Sequence, residues 1–147
     1  MPRYFTLDEA RASLPLVGRH IREAILSRAR HHEAEKAIRE LTQRILMLGG
    51  VSVNTAAAQA WKTQYEANGQ SLKDAVDRIE AIGGIVKDLD TGLVDFPTLF
   101  RGEEVYLCWR ADESDIDHWH GVHEGFSGRK AIDRHFLDNH RGEALAG

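Results

Sequence analysis

The chain has 147 residues, of which 42% are hydrophobic and 29% charged. This is ordinary globular usage, and the length is enough for one buried core. A net charge of −4 excludes a polyanion binder by bulk charge, one cysteine excludes an intrachain disulfide, and no run reaches the roughly 18 apolar residues of a membrane helix. The N-terminal MPRYFTLDEA lacks the apolar stretch of a secretory signal, so a cytoplasmic, reducing setting is expected. Charge is uneven along the chain. Residues 1–47 carry nine Lys/Arg against six Asp/Glu, and residues 84–147 carry seven against thirteen.

Thr6-Leu7-Asp8-Glu9 is a capping box, which predicts a helix start. Pro15 lacks an N–H and crowds the preceding turn, so a kink or restart is expected there, with Ser13 as its cap. Beyond it, Val17, Ile21, Ala24, Ile25, Ile38, Leu41, Ile45 and Leu48 recur at helical spacing. The apolar stripe thins around Arg28–Glu35, where His31 and His32 fall. Gly49-Gly50 ends this helix, which is about 34 residues and roughly 50 Å long from Pro15 on. Asn54 or Thr55 caps the next helix, with the seam Trp61, Tyr65, Asn68, Leu72, Ala75, Val76, Ile79 and Ile82. The seam keeps its register through Asn68-Gly69, so one continuous helix is expected up to Gly83-Gly84. The two helices form an antiparallel hairpin.

The period then changes to two. Ile85–Lys87 is a short strand, Asp88–Gly92 a turn, and Leu93–Phe96 a second strand ended by Pro97. Arg101-Gly102-Glu103 is a turn, and Val105–Arg110 the strongest strand, with Leu107 and Trp109 facing inward. Ile116–His120 reads as a fourth strand, and a short helix is placed near Ile132–Leu137. The expected fold is α+β in a single domain. A long antiparallel helical hairpin (6–83) is followed by a small antiparallel β-meander (84–129) packed on one end, and by a polar tail (130–147).

The segments Tyr4-Phe5-Thr6-Leu7, Asp88-Leu89-Asp90-x-Gly92-Leu93-Val94-Asp95-Phe96-Pro97, Val105-x-Leu107-Cys108-Trp109, Trp119-His120 and Gly125-Phe126-x-Gly128-Arg129 carry a resemblance over nearly the whole chain. In this combination and order the sequence resembles the bacterial family known as domain of unknown function 2203. The resemblance implies no reaction. Its matching polar positions are Asp88, Asp90, Asp95, Cys108, His120 and Arg129. His118 and His123 fall outside the pattern.

Several constellations carry possible chemistry, each beside a plainer reading. His118, His120 and His123 form H-x-H-x-x-H. The first two share a strand face and can hold a divalent transition metal such as zinc, with Cys108 and Asp95 as further ligands. The plain alternative is a solvated edge strand. Asp88 and Asp90 fit turn chemistry, whereas Asp95, inside an apolar strand, faces water or pairs with Arg129 or His120. Cys108 is by default a buried, inert thiol. As a nucleophile it needs a base, and His120 is the candidate. The Gly125–Arg129 loop can offer backbone N–H groups and a guanidinium to an anion; otherwise Phe126 folds it back and Arg129 enters a salt bridge. Arg19, Arg22, Arg28, Arg30, Lys36, Arg39 and Arg44 are interspersed with acids and lack aromatics, which argues against nucleic acid.

The expected function is an oligomeric binding or scaffold protein, a homodimer through the hairpin. A small-ligand or anion pocket is placed at the meander, with Asp95, Trp109, His120 and Arg129 as ligand-binding residues. The alternative is a metal- or thiol-dependent enzyme using Cys108, His120, Asp95 and Arg129.

Overall fold

The computed structural model describes residues 3–49 and 55–142. Helices α1 (Leu7–Met47) and α2 (Thr55–Ile82) are followed by β1 (Ile85–Asp88), β2 (Leu93–Phe100), β3 (Glu103–Arg110) and β4 (His118–Gly121). A 3-10 turn (Phe126–Gly128), β5 (Lys130–Ala131), α3 (Arg134–Asn139) and β6 (His140–Arg141) complete the described elements. The fold is α+β: α1 packs on α2, and an antiparallel meander follows in the order β1-β2-β3-β4-β5, with β6 added to β2. The chain divides into two compact units, one of residues 3–22 and 76–142, the other of residues 23–75. The expected cap at Asn54 lies outside the described residues.

In the first unit the capping box forms as expected. The Glu9 N–H donates to Thr6 Oγ1 at 3.1 Å, and the Thr6 N–H donates to Glu9 Oε1 at 3.1 Å. Pro15 does not restart the helix. It lies inside α1, and Ser13 caps nothing, its hydroxyl donating instead to the Ala10 carbonyl at 2.7 Å. Full burial of Ala10 before the proline and of Val17 and Ile21 after it holds one helix across the missing hydrogen bond. At the end of α2, Gly83 adopts φ 113°. Its N–H and that of Gly84 both reach the Ile79 carbonyl. A Cβ at Gly83 would come within 2.9 Å of the Phe5 ring, so glycine is required twice over.

The sheet differs from expectation at Pro97. The strand runs through it to Phe100. In a strand, a residue's N and O point to the same side. The Pro97 carbonyl accepts from the Phe5 N–H at 2.7 Å, so its donorless nitrogen also points away from β3. The proline therefore occupies the stretch of the β2 edge between the pairings with β1 and β6, and costs the β2–β3 ladder nothing. The β2–β3 hairpin closes on two residues, Arg101 (φ 52°) and Gly102 (φ 81°), both with the positive φ of a type I′ turn. Residues 130–141, expected as part of a polar tail, are built into the fold through β5, α3 and β6. Phe136 is buried against Phe100, Trp119 and His140, and the Leu7 N–H donates to His140 Nε2 at 3.1 Å.

In the second unit α2 is continuous through Asn68-Gly69. Asn68 turns its amide back to the Gln64 carbonyl at 2.8 Å. Gly69 gives room to His31 of α1, which a Cβ would meet at 3.1 Å. The His31 ring stacks on Tyr65, with centroids 4.1 Å apart, and its Nδ1 donates to the Tyr65 carbonyl at 2.9 Å. A polar side chain thus sets the register of this helix pair.

Leu107 and Trp109 face inward as expected, with Trp109 only 3% exposed. Trp109→Ala should cost about 3–5 kcal/mol. Urea denaturation of the purified variant checks this, and a loss under about 1 kcal/mol would show that the ring contributes little to the core.

Candidate functional site

The ladder register assigns each strand residue to a face. Val94 pairs with Trp109, and Phe96 with Leu107, which pairs in turn with Trp119. This face carries the aromatic core. On the other face Asp95 pairs with Cys108 and Cys108 with His118, while Pro97 pairs with Tyr106 and Tyr106 with His120. Three polar side chains from β2, β3 and β4 converge there. Asp95 is 1% exposed, His120 4% and Cys108 0%. Asp95 Oδ2 is 3.0 Å from His120 Nε2. One ligand-capable atom from each of Asp95, Cys108 and His120 lies within 4.8 Å of the others.

The tautomer of His120 follows from its second contact. Nδ1 lies 2.8 Å from the Gly121 carbonyl, which can only accept, so Nδ1 carries the proton. Nε2 then meets Asp95 as part of an imidazolium beside the carboxylate, as a lone pair accepting from a protonated carboxyl, or as a lone pair shared with the carboxylate on a cation. The other carboxylate oxygen, Asp95 Oδ1, is buried with no hydrogen-bond partner. Burial, followed by the Asp95 charge, pushes the Cys108 thiol from its ordinary 9.0 up to about 12, against a lowering by the Arg129 guanidinium. The thiol is therefore neutral and a poor nucleophile.

The remaining predicted residues are placed differently. Arg129, with a side chain 10% exposed, is already engaged. Its Nη2 donates to Glu113 Oε1 at 2.6 Å and to the Cys108 carbonyl at 3.2 Å, and its ring-facing side lies over Phe126. The loop glycines make room for a carboxylate of the chain itself. A Cβ at Gly121 or Gly128 would come within 2.8 Å of Glu124, whose Oε1 accepts from the Gly121 N–H and Lys130 Nζ. Of the groups expected to hold an external anion, Arg129 holds Glu113, and the Gly128 and Arg129 N–H groups donate to the Gly125 and Phe126 carbonyls at 2.9 and 3.2 Å. Trp109 belongs to the opposite face from Asp95 and His120, so these do not line one pocket. The three histidines are not brought together either. His118 Nδ1 is 3.6 Å from Glu113 Oε2, beyond hydrogen-bond reach, and His123 is exposed past the end of β4. Among the described residues the metal-capable group is Asp95, Cys108 and His120.

Sequence reasoning missed Glu113. Its Oε1 also accepts from the Arg110 N–H at 2.8 Å, and its carbonyl takes the Trp109 indole N–H at 3.0 Å. Its only sequence signal is a place in the turn after β3.

A family model described as uncharacterised conserved protein, DUF2203, matches residues 3–132. The chain belongs to this family. No curated protein and no solved structure is detectably similar to it. No helix among the described residues of this DUF2203 chain is long and apolar enough to cross a membrane.

Two measurements follow from these contacts. Glu113→Ala strands a nearly buried guanidinium and should cost about 3 kcal/mol in denaturant unfolding, with Glu113→Gln costing less. For Cys108 the folded state keeps a proton that the unfolded state releases above pH 9. The unfolded state then binds fewer protons, so stability is full below about pH 9 and falls as pH rises toward about 12. Urea midpoints of chelator-treated protein should fall more steeply with alkaline pH than those of Cys108→Ala. Parallel slopes would show that the thiol titrates alike in both states.

Proposed function

We propose that this DUF2203 protein is a cytoplasmic, non-catalytic binding or scaffold protein that works as a homodimer joined through its helical arm. The observation that carries this reading is the apolar surface of the helical unit, residues 23–75. Leu26, Ile45, Leu46, Met47, Leu48 and Tyr65 are all exposed there. Ile45 and Leu48 belong to the stripe that begins at Ile38 and Leu41, and a stripe at this spacing is ordinarily covered. Two helices alone cannot cover it. A second copy of the arm would complete a four-helix bundle, in which each apolar side chain fully buried contributes about 1.5–3 kcal/mol.

The sheet supports the non-catalytic half of the reading. A thiol-dependent enzyme needs a thiolate beside a base and within reach of substrate, whereas Cys108 is fully buried and neutral. Arg129, the expected anion holder, is neutralised by Glu113.

Sedimentation equilibrium at tens of micromolar tests the proposal. The expected mass is twice that of the 16.5 kDa chain. Leu46→Asp with Met47→Asp should shift it to the monomer with helicity retained. A monomeric wild-type protein would remove the homodimer.

A further inference from the structure

We propose that Asp95, Cys108 and His120 bind a divalent transition-metal ion of the zinc type, through an Asp95 carboxylate oxygen, Cys108 Sγ and His120 Nε2. Their ligand atoms already lie within 4.8 Å of one another. Ligand atoms around tetrahedral zinc stand about 3.3–3.8 Å apart, given bonds of about 2.0–2.3 Å. Side-chain adjustments of an ångström or less would close the set. The three ligands come from three adjacent, hydrogen-bonded strands, so the backbone presents them together without a mobile loop.

Two features distinguish this cluster from a chance meeting of polar residues. The first is the bond from His120 Nδ1 to the Gly121 carbonyl. A metal-binding imidazole characteristically donates its other N–H to a carbonyl or carboxylate, which fixes the ring and leaves the inner nitrogen's lone pair for the ion. The second is Asp95 Oδ1, an oxygen of a side chain 1% exposed that has no hydrogen-bond partner. A buried carboxylate with an unused oxygen is costly unless something positive meets it.

The donor set also selects the ion. One sulfur, one imidazole nitrogen and one carboxylate oxygen suit zinc and its neighbours, and not calcium or magnesium, which take oxygen alone. On loading, the ion replaces two protons, one from the broken Cys108 S–H bond and one held between Asp95 and His120 Nε2; both pass to solvent while S–metal, O–metal and N–metal bonds form, with no change of oxidation state. A divalent ion with one thiolate, one carboxylate and a neutral imidazole carries no net charge. Beside it the Arg129–Glu113 pair is likewise neutral. The loaded centre therefore leaves no uncompensated charge within the sheet.

The test uses the full chain without a histidine tag, stripped with a chelator. Cobalt(II) alone should bind once per chain and produce a near-ultraviolet sulfur-to-cobalt charge-transfer band, and zinc(II) should then displace it and raise the unfolding temperature. Cys108→Ser should abolish the band. Asp95→Asn and His120→Gln should weaken cobalt binding by more than about tenfold. His123→Ala, on an exposed residue, should leave it unchanged. The proposal is overturned if folded wild-type protein gives no such band, if the band survives in Cys108→Ser, or if His123→Ala weakens it as much as His120→Gln. The wild-type spectrum decides the matter even if a core variant fails to fold.

Discussion

The antiparallel ladder between β2 and β3 is the constraint on which the rest of the sheet depends. It pairs eight residues with eight, from Leu93 against Arg110 to Phe100 against Glu103, without a bulge. Because side chains alternate, this register sends Val94, Phe96, Leu107 and Trp109 to one face and Asp95, Pro97, Tyr106 and Cys108 to the other. A slip of one residue would exchange the two sets, placing a carboxylate and a thiol in the aromatic core. The two-residue turn at Arg101-Gly102 prevents that slip, since both residues must hold positive φ and no other closure gives the same pairs. Pro97, with its nitrogen turned toward the N-terminal segment, leaves the ladder intact.

The second face is buried at Asp95, Cys108 and His120, half-buried at Tyr106 and His118, and filled with different chemistry. Its polar groups are answered largely from within the chain. Glu113 takes the Arg129 guanidinium and the Arg110 N–H, and Glu124 takes the Gly121 N–H and Lys130. Carboxylates placed this way fix loop conformation, because each would lose more by being stranded than it gains by moving. The glycine-rich loop illustrates how two functions compete for one motif. Closely spaced glycines expose N–H groups to an outside anion or make room for an inside one, and here Glu124 fills the room. Asp95 is less fully answered, with one oxygen on His120 and the other without a hydrogen-bond partner, as are His118 Nδ1 and Arg129 Nε.

The sequence made the helices legible and hid the sheet's details, for physical reasons. Capping box, glycine stops and apolar spacing are local signals, and α1 and α2 ended within a residue or two of them. The restart at Pro15 was misread because tertiary burial of Val17 and Ile21 overrode a local penalty. Asp95, Cys108 and His120 were legible as candidates, each being a polar or reactive residue in an apolar strand. Their meeting was not. Assigning three residues, Arg101-Gly102-Glu103, to the turn loses the register, whereas a two-residue turn at Arg101-Gly102 brings Asp95 opposite Cys108 by counting alone. The place of His120 depends on the turn between Arg110 and His118, which is irregular and has no such counting rule. Arg129 was legible as a salt-bridge former, but its partner Glu113 was not, because nothing local marks that residue as a hub. The tail was misjudged because β5, α3 and β6 are each too short to show a period, and what binds them to the sheet, the burial of Phe136 and the pairings of β5 with β4 and β6 with β2, is tertiary.

The two compact units put their unspent energy in different places. The helical unit has an apolar surplus at its surface, which the hydrophobic effect penalises until another surface covers it. The sheet unit has a polar surplus at its centre. A buried ion pair of Asp95 and His120 pays for desolvation on both sides, and apolar residues of similar volume in its place are often as stable or more so. A carboxylate is therefore a poor choice for packing alone at position 95, between Val94 and Phe96. It becomes a good choice where a positive charge must be held without water, because the low dielectric that makes the empty oxygen costly also strengthens its attraction for a cation.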